Sequence, residues 1–406
     1  WKLVVVAAKN FFLLLCLFLA LFSWILGSLS QQASHIPNLT IGFVDYDNGA
    51  VGAALRDAYT SLSSGSFPVV AEYSPTQYPT PEDLRAAVCR TDFWAVVYVS
   101  RGASARLGSA LAGTAPVDEL DKKDVLTYIW NEVRYPVVVD SAIATNLETL
   151  SSTARVLYAN ANTTRNILNV TAPEALSVLV EPWQLNSSNI QPTKQGPRLV
   201  YNTIVVLLVF VQDFFYLGML NTIYGHLKIW TKARPIVIVF VRLVNSLIYT
   251  LLSGLCVTGA IWAFRGDWNV NGAQFMLTWM VFWILGHINF FVLDIFAVWL
   301  PAPYVPMAMI SWVLSNVTSI VLPFELNPGF YKLGYVFPAH AAFTTFLDIW
   351  SSGCNPQLAY TLPTLFAWEV LAAIGSAIGV YRRVWYAKLD KEREEQSLKE
   401  KVAAVL

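Results

Sequence analysis

The sequence predicts a polytopic α-helical membrane protein with six transmembrane helices and a mixed α/β extracellular domain inserted between helices 1 and 2. Three observations carry this reading. Charged residues make up 13% of the chain, against 55% hydrophobic and 14% aromatic, whereas soluble domains hold about 25% charged residues. The apolar residues collect into long runs, an uncharged one near the start and the others after residue 198. Between them, residues 31–198 hold charge, Ser, Thr and Pro in a segment long enough for a core of its own.

The first run, residues 11–29, reads FFLLLCLFLALFSWILGSL. At about 1.5 Å per residue it reaches about 28 Å, close to the hydrocarbon thickness of a bilayer. Lys2 and Lys9 precede it, and no Lys or Arg follows until Arg56. The positive-inside rule therefore keeps its N-terminus cytoplasmic. A cleaved signal peptide is the rival reading, with Ser28-Leu29-Ser30 as a loose cleavage site. The run is longer than a signal needs, and Trp24, Ile25 and Leu26 crowd that site, so a retained anchor (residues 1–30) is preferred. Because the sequence opens on Trp1, further residues are expected to precede it.

Residues 31–198 contain four Asn-x-Ser/Thr sequons, at Asn38, Asn162, Asn169 and Asn186. Together they fit a lumenal or extracellular, glycosylated domain. A fifth, at Asn316, lies in an apolar run and is expected to stay bare. Residues 39–44 and 93–99 read as buried strands, and 67–73 and 125–129 as weaker ones. Residues 51–62, 81–89 and 141–161 read as helices. Asp45 and Asp47 sit at a strand end before a turn at Asp47-Asn48-Gly49, where turn chemistry is favoured over a catalytic carboxylate pair. Cys89 and Cys354 share the outer side, where a disulfide is chemically allowed. Cys16 and Cys256 fall in spans as small apolar packers.

The membrane block, residues 199–385, supplies five more spans at 200–220, 235–264, 275–300, 304–323 and 359–381. His226, Lys228, Lys232 and Arg234 follow the second span, and Arg382, Arg383 and Lys388 the sixth. Six crossings place both termini in the cytoplasm, where both are basic. Residues 324–358, rich in Pro, Gly and aromatics, suit an interfacial or re-entrant segment on the outer face. Residues 386–406 alternate in charge sign and read as a solvated cytoplasmic helix.

The stretch TIGFVDYDNG (40–49), directly after an anchor, is similar to the start of the external domain in phage-infection-protein-like proteins and type-2 ABC exporter permeases. With EDLR (82–85), WAVVYV (94–99), YIWNEVRY (128–135) and YKLGYVFP (331–338), the chain resembles the fungal nitrosoguanidine-resistance protein family over nearly its whole length, in order. The resemblance implies a multi-pass protein of the plasma membrane or an endomembrane, linked to drug resistance and lipid behaviour. It also implies a homodimer or larger assembly. Exporter relatives work with a separate ATPase subunit, which the short basic loop at 224–234 has room to dock. It fixes no catalytic residue.

Ionisable side chains inside a span cost roughly 2.5–3.5 kcal/mol each and so need a reason. Those present are Asp213, Arg242, His287, Asp294 and Glu369, with Asn245 and Asn289 as neutral company. Asp213 and Arg242, in adjacent spans about two turns from the cytoplasmic end, are expected to form a structural ion pair. His287, Asn289 and Asp294 share the fourth span, with His287 and Asp294 on nearly one face. With Glu325, His340 and Asp348 they form the expected binding set, His287 and His340 converging on a cavity near the outer leaflet.

The preferred function is transport or handling of small amphipathic molecules, drugs or lipids, with membrane lipids as partners. The alternative is a membrane-embedded enzyme using His287, Asp294 and His340 as acid/base groups. Simple interhelical hydrogen bonding competes with both. No Walker sequence, metal-ligand spacing or cofactor signature occurs, so no cofactor is expected. Zero net charge and the lack of a basic aromatic groove argue against nucleic acid.

Overall fold

The computed structural model describes residues 2–63, 65–114, 120–169, 171–193, 201 and 204–405. The predicted domain end near Arg198 and the span start at Val200 lie outside them.

Helix α1 (Lys2–Ser28) leads, by way of short helical turns, to strand β1 (Ile41–Asp45). Then follow α2 (Ala50–Leu62), β2 (Val70–Tyr73), α3 (Pro81–Cys89), β3 (Ala95–Val99) and α4 (Ala103–Ala112). The domain ends with β4 (Leu126–Trp130), α5 (Thr145–Asn160), α6 (Pro173–Val180) and β5 (Leu185–Asn189). The five strands form one sheet in the order β2-β1-β3-β4-β5, parallel except for the antiparallel β3–β4 pair.

Strand alternation assigns the two faces. Ile41, Phe43, Ala95, Val97, Val99, Leu126, Tyr128 and Trp130 join the larger core with α2 and α5. Val44, Val96 and Ile129 point the other way, onto Leu84, Ala87 and Val88 of α3. Helix α3 starts where the sequence signals it: Thr80 and Asp83 form a reciprocal capping box ahead of Pro81. β5 was not foreseen. Its sequence, LNSSN, is a polar edge strand paired to β4 alone, so it carries no apolar alternation to read.

Asp45 and Asp47 are turn and cap groups. Asp45 Oδ1 accepts the Asp47 and Asn48 backbone N–H groups at 3.1 and 2.8 Å, and Oδ2 pairs with Arg56 at 2.9 Å. Asp47 Oδ2 accepts the Ser104 N–H at 3.0 Å. Open α/β sheets bind ligands beyond the strand ends where the strand order reverses. Here that point, between β1 and β3, is filled by the chain's own carboxylate. Asn48 takes the left-handed position of the turn (φ +50°).

The helix block comprises α7 (Ile204–His226), α8 (Pro235–Ala263), α9 (Gly272–Trp299), α10 (Val305–Val321), α11 (Pro338–Trp350) and α12 (Leu358–Val405). Among the described residues, five helices are long and apolar enough to cross a membrane: Ala7–Ser28, Val206–His226, Pro235–Ala263, Gly272–Trp299 and Leu358–Ser397. The chain is thus a multi-pass membrane protein. The predicted span at 304–323 is the shorter, 17-residue α10. The last span and the charged tail are one continuous helix, with Lys391–Glu395 and Asp390–Arg393 pairs along its exposed end.

Helix α9 is the hub, packed by α7, α8, α10, α11 and α12. Its start is fixed by an Asn271–Gln274 capping box. The segment read as interfacial or re-entrant contains α11, whose residues from Pro338 to Asp348 are all buried. It is a wedge between the α/β domain and the spans. Tyr135 stacks edge-on against Phe343, Asn131 Nδ2 donates to the Cys354 carbonyl at 3.1 Å, and Cys89 and Cys354 form a disulfide. Domain and block are joined covalently at this seam. α1 stands aside, touching α10 and, through Trp24, Phe330 and Tyr331.

Candidate functional site

Helices α8, α9 and α12 are tied by two polar layers. In one, the Arg242 guanidinium pairs with Asp294, and Ser376 Oγ donates to the other Asp294 oxygen at 2.6 Å. In the other, Ser246 Oγ lies 2.9 Å from His287 Nε2, and His287 Nδ1 lies 2.5 Å from Glu369 Oε1. Ser246 follows Arg242 by one turn of α8. His287 and Glu369 precede Asp294 and Ser376 by two turns of α9 and α12. Each layer draws one residue from each helix, which satisfies groups that lipid cannot.

This corrects the expected Asp213–Arg242 pair. Arg242 Nη1 donates to Asn221 Oδ1 at 3.2 Å, so α7 meets Arg242 at the level of Asn221. Asp213 lies eight residues away along α7, about 12 Å at helical rise. There it faces Gly286: a Cβ on that glycine would lie 3.7 Å from Asp213 Oδ2 and 3.4 Å from the Thr250 Cβ. Both Asp213 oxygens are buried and have no hydrogen-bond partner among the described residues.

Beside the second layer runs a groove of about 680 Å³. Leu277, Trp283, Ile284, Leu362 and Phe366 form its apolar walls, and His287 and Glu369 its inner polar wall. Asn271, Gln274, Asp348 and Ser352 line the end beneath the α/β domain. Leu277 and Phe366 are 53% and 57% exposed, so the groove opens on the apolar flank of the block. Gln274 Nε2 holds the rim by donating to the Ile349 carbonyl at 2.8 Å. Burial pushes the Asp348 carboxyl up, against the pull of the Asn355 backbone N–H. Among the described residues its Oδ1 is without a partner, and so is Glu369 Oε2, and no Lys or Arg lies on these walls.

Of the residues expected to gather, His287 and Asp348 line the groove and the others do not. Asp294 is held in its own layer. Asn289 faces α10, accepting from Trp312 Nε1 at 3.3 Å. Glu325 sits at the domain seam, its carbonyl accepting from Asn38 Nδ2 at 2.8 Å. His340 is apart from His287. Its Nδ1 lies 3.0 Å from the Ser319 carbonyl, its ring packs against Phe324 and Tyr335, and burial pushes its pKa down to about 4. The His287–His340 convergence and the three-residue acid/base set are therefore not formed. A 3.6-residue period places residues around one helix, but it does not say which neighbour each face meets.

Sequence reasoning left Ser246 and Gln274 out, and counted Glu369 only as an intramembrane charge. Glu369 had a signal, its ionisable side chain in a span. Ser246 had none, since serine is common in packed membrane helices. Among the described residues, no three His, Cys, Asp or Glu side chains are placed to hold a metal ion. Of the sequon asparagines, Asn38 and Asn162 are exposed, Asn169 and Asn186 are partly covered, and Asn316 is buried with its Nδ2 on the Trp312 carbonyl at 2.9 Å.

No solved structure matches this chain. Residues 10–374 match the family model described as "Protein of unknown function (DUF3533)", which covers most of the sequence, and the chain belongs to that family.

Proposed function

We propose that the protein takes small amphipathic molecules, drugs or lipids, from the bilayer into the lateral groove, to hold them or move them across the membrane. The carrying observation is the groove itself: an apolar trough open on the lipid flank, with carboxyl, imidazole and amide groups at fixed points along it. Its volume falls in the range of small-molecule sites, about 300–1,000 Å³. An amphiphile's tail would lie along Leu277, Trp283 and Phe366. Its head would meet Asp348 and Gln274 beneath the domain, or His287 and Glu369 deeper in. Carboxyl groups without a cation on the walls favour a head that is basic or donates hydrogen bonds.

The supporting topology is six spans, the five long helices and α10, which is fifth in chain order. Its 17 residues reach about 26 Å, at the short end of what crosses a bilayer. The α/β domain then lies outside, with sugars on Asn38, Asn162, Asn169 and Asn186, and both termini lie in the cytoplasm. The resemblance to fungal nitrosoguanidine-resistance proteins points the same way, and a homodimer or larger assembly belongs with it.

The hydrogen-bonded Ser246–His287–Glu369 series favours a second reading, acyl transfer or acid/base chemistry on a lipophile. Geometry weighs against a Ser246 nucleophile. The hydroxyl is fully buried and is not on the groove wall; the imidazole stands between it and the space a substrate would occupy. His287 lines the groove, and both its ring nitrogens are engaged, by Ser246 and by Glu369.

The test compares wild type, His287→Ala, Glu369→Gln and His340→Ala in sealed vesicles with a fluorescent cationic amphiphile. Transport predicts that the two groove variants lose binding or flux of the unchanged compound, and that His340→Ala, off the groove, keeps it. Equal flux in all four proteins would refute the groove as the path. Chemical conversion of the compound in detergent, lost in His287→Ala, would establish the enzyme reading instead.

A further inference from the structure

At the end of the helix block away from the α/β domain, a cleft of about 510 Å³ lies between the end of α9, the start of α10 and α12. Arg382, Arg383, Tyr386 and Asn221 supply its polar wall, and Val305 and Pro306 its apolar one. The two arginines are held in place without being neutralised. Arg382 stacks over the rings of Trp299 and Tyr386, 4.7 and 5.1 Å from their centroids, and its Nη1 donates to the Val298 carbonyl at 3.1 Å. Arg383 lies 4.6 Å from the Trp230 ring centroid, and its Nη1 is buried with no hydrogen-bond partner among the described residues. Neither has an ion pair among the described residues. The buried carboxylate of Asp294 is already taken by Arg242 and Ser376.

Two guanidinium groups pre-oriented by aromatic rings, both on the cleft wall and neither in an ion pair among the described residues, form a receptor for a tetrahedral oxyanion. From these contacts we infer that this cleft binds the phosphate headgroup of an acidic phospholipid. The location favours a lipid over a soluble phosphate. Exposed Trp385 and Tyr386 mark a membrane–water boundary beside the cleft, and apolar Val305 and Pro306 give acyl chains a wall to follow. Lys228, Lys232 and Arg234, on the connection between α7 and α8 at this same end, add attraction for an anionic leaflet. The site is independent of the lateral groove and of what that groove carries.

The test uses the full chain in phosphatidylcholine nanodiscs with and without phosphatidic acid, with bound lipid counted by native mass spectrometry. Wild type is expected to retain phosphatidic acid over phosphatidylcholine by about tenfold, and Arg382→Gln/Arg383→Gln to lose that preference. Lys391→Gln, in the exposed tail, should keep it. No preference in wild type, or an undiminished one in the double variant, overturns the proposal. So does displacement of phosphatidic acid by an equal concentration of inorganic phosphate, which would make the ligand a free anion. If the double variant does not fold, Arg382→Lys alone serves: it keeps the charge but not the paired donors, and is expected to weaken retention.

Discussion

The Arg242–Asp294 layer allows the sharpest quantitative test. Both side chains are buried, at 2% and 0% exposure. Removing one partner of such a pair strands the other charge, at a cost of about 3–5 kcal/mol. The structure ranks the two halves. Asp294→Asn leaves Arg242 with Asn221 and with the rings of Tyr224 and Trp230, 5.3 and 5.6 Å from its guanidinium carbon. That residual support places the loss near the low end, about 3 kcal/mol. Arg242→Gln leaves Asp294 with Ser376 as its remaining side-chain partner among the described residues, so the loss should approach about 5 kcal/mol. The double variant buries no lone charge and should cost much less than the sum, giving a coupling of about 3 kcal/mol or more. Unfolding in mixed detergent–SDS micelles, followed by far-ultraviolet circular dichroism, measures all four corners of the cycle. Additive losses, or Asp294→Asn costing more than Arg242→Gln, would refute the reasoning.

Three further outcomes follow from the packing. His340 is neutral in the folded protein, its pKa pushed from 6.5 to about 4 by burial. The unfolded chain takes up that proton first, so stability is full above about pH 6.5 and falls by about 3 kcal/mol toward pH 4; His340→Gln should flatten this slope in a stability–pH series. At Gly52 a Cβ would lie 1.9 Å from Asp45 Oδ2, which Arg56 holds in place while two backbone N–H groups hold Oδ1 of the same carboxylate. Gly52→Ala should therefore cost about 1–3 kcal/mol, whereas Gly218→Ala, in open space, should be neutral or better in the same denaturation assay. The Cys89–Cys354 bond closes a sequence separation of 265, so the double serine variant should lose about 2–5 kcal/mol and become protease-sensitive at the seam between α3 and α11. An unchanged unfolding midpoint would show that the seam holds without it.

The sequence by itself determined whatever a one-dimensional pattern can encode. Apolar runs of bilayer length marked α1, α7, α8, α9 and the first half of α12. Short β-branched and aromatic runs bounded by turn residues marked β1 and β3, and a helical pattern from Pro81 marked α3. Those signals are local: propensity, hydropathy and caps act within a turn or two of the chain. β5 escaped because a polar edge strand obtains its hydrogen bonds from a neighbour 59 residues away, as Asn186 does from Thr127.

Partnership was decided by tertiary structure alone. Arg242 had two carboxylates within plausible reach, and the vertical register of α7 against α8 put Asn221 beside it and left Asp213 beside Gly286. The packing of α9 against α11 and α12 likewise separated His287 from His340 and set Glu369 and Asp348 on the groove wall, with Ser246 behind His287. A membrane helix shows which residues are costly to bury, but which neighbour relieves the cost depends on rotation and offset between helices. In a long apolar run those two quantities are set by packing contacts spread over many residues, and no single motif records them.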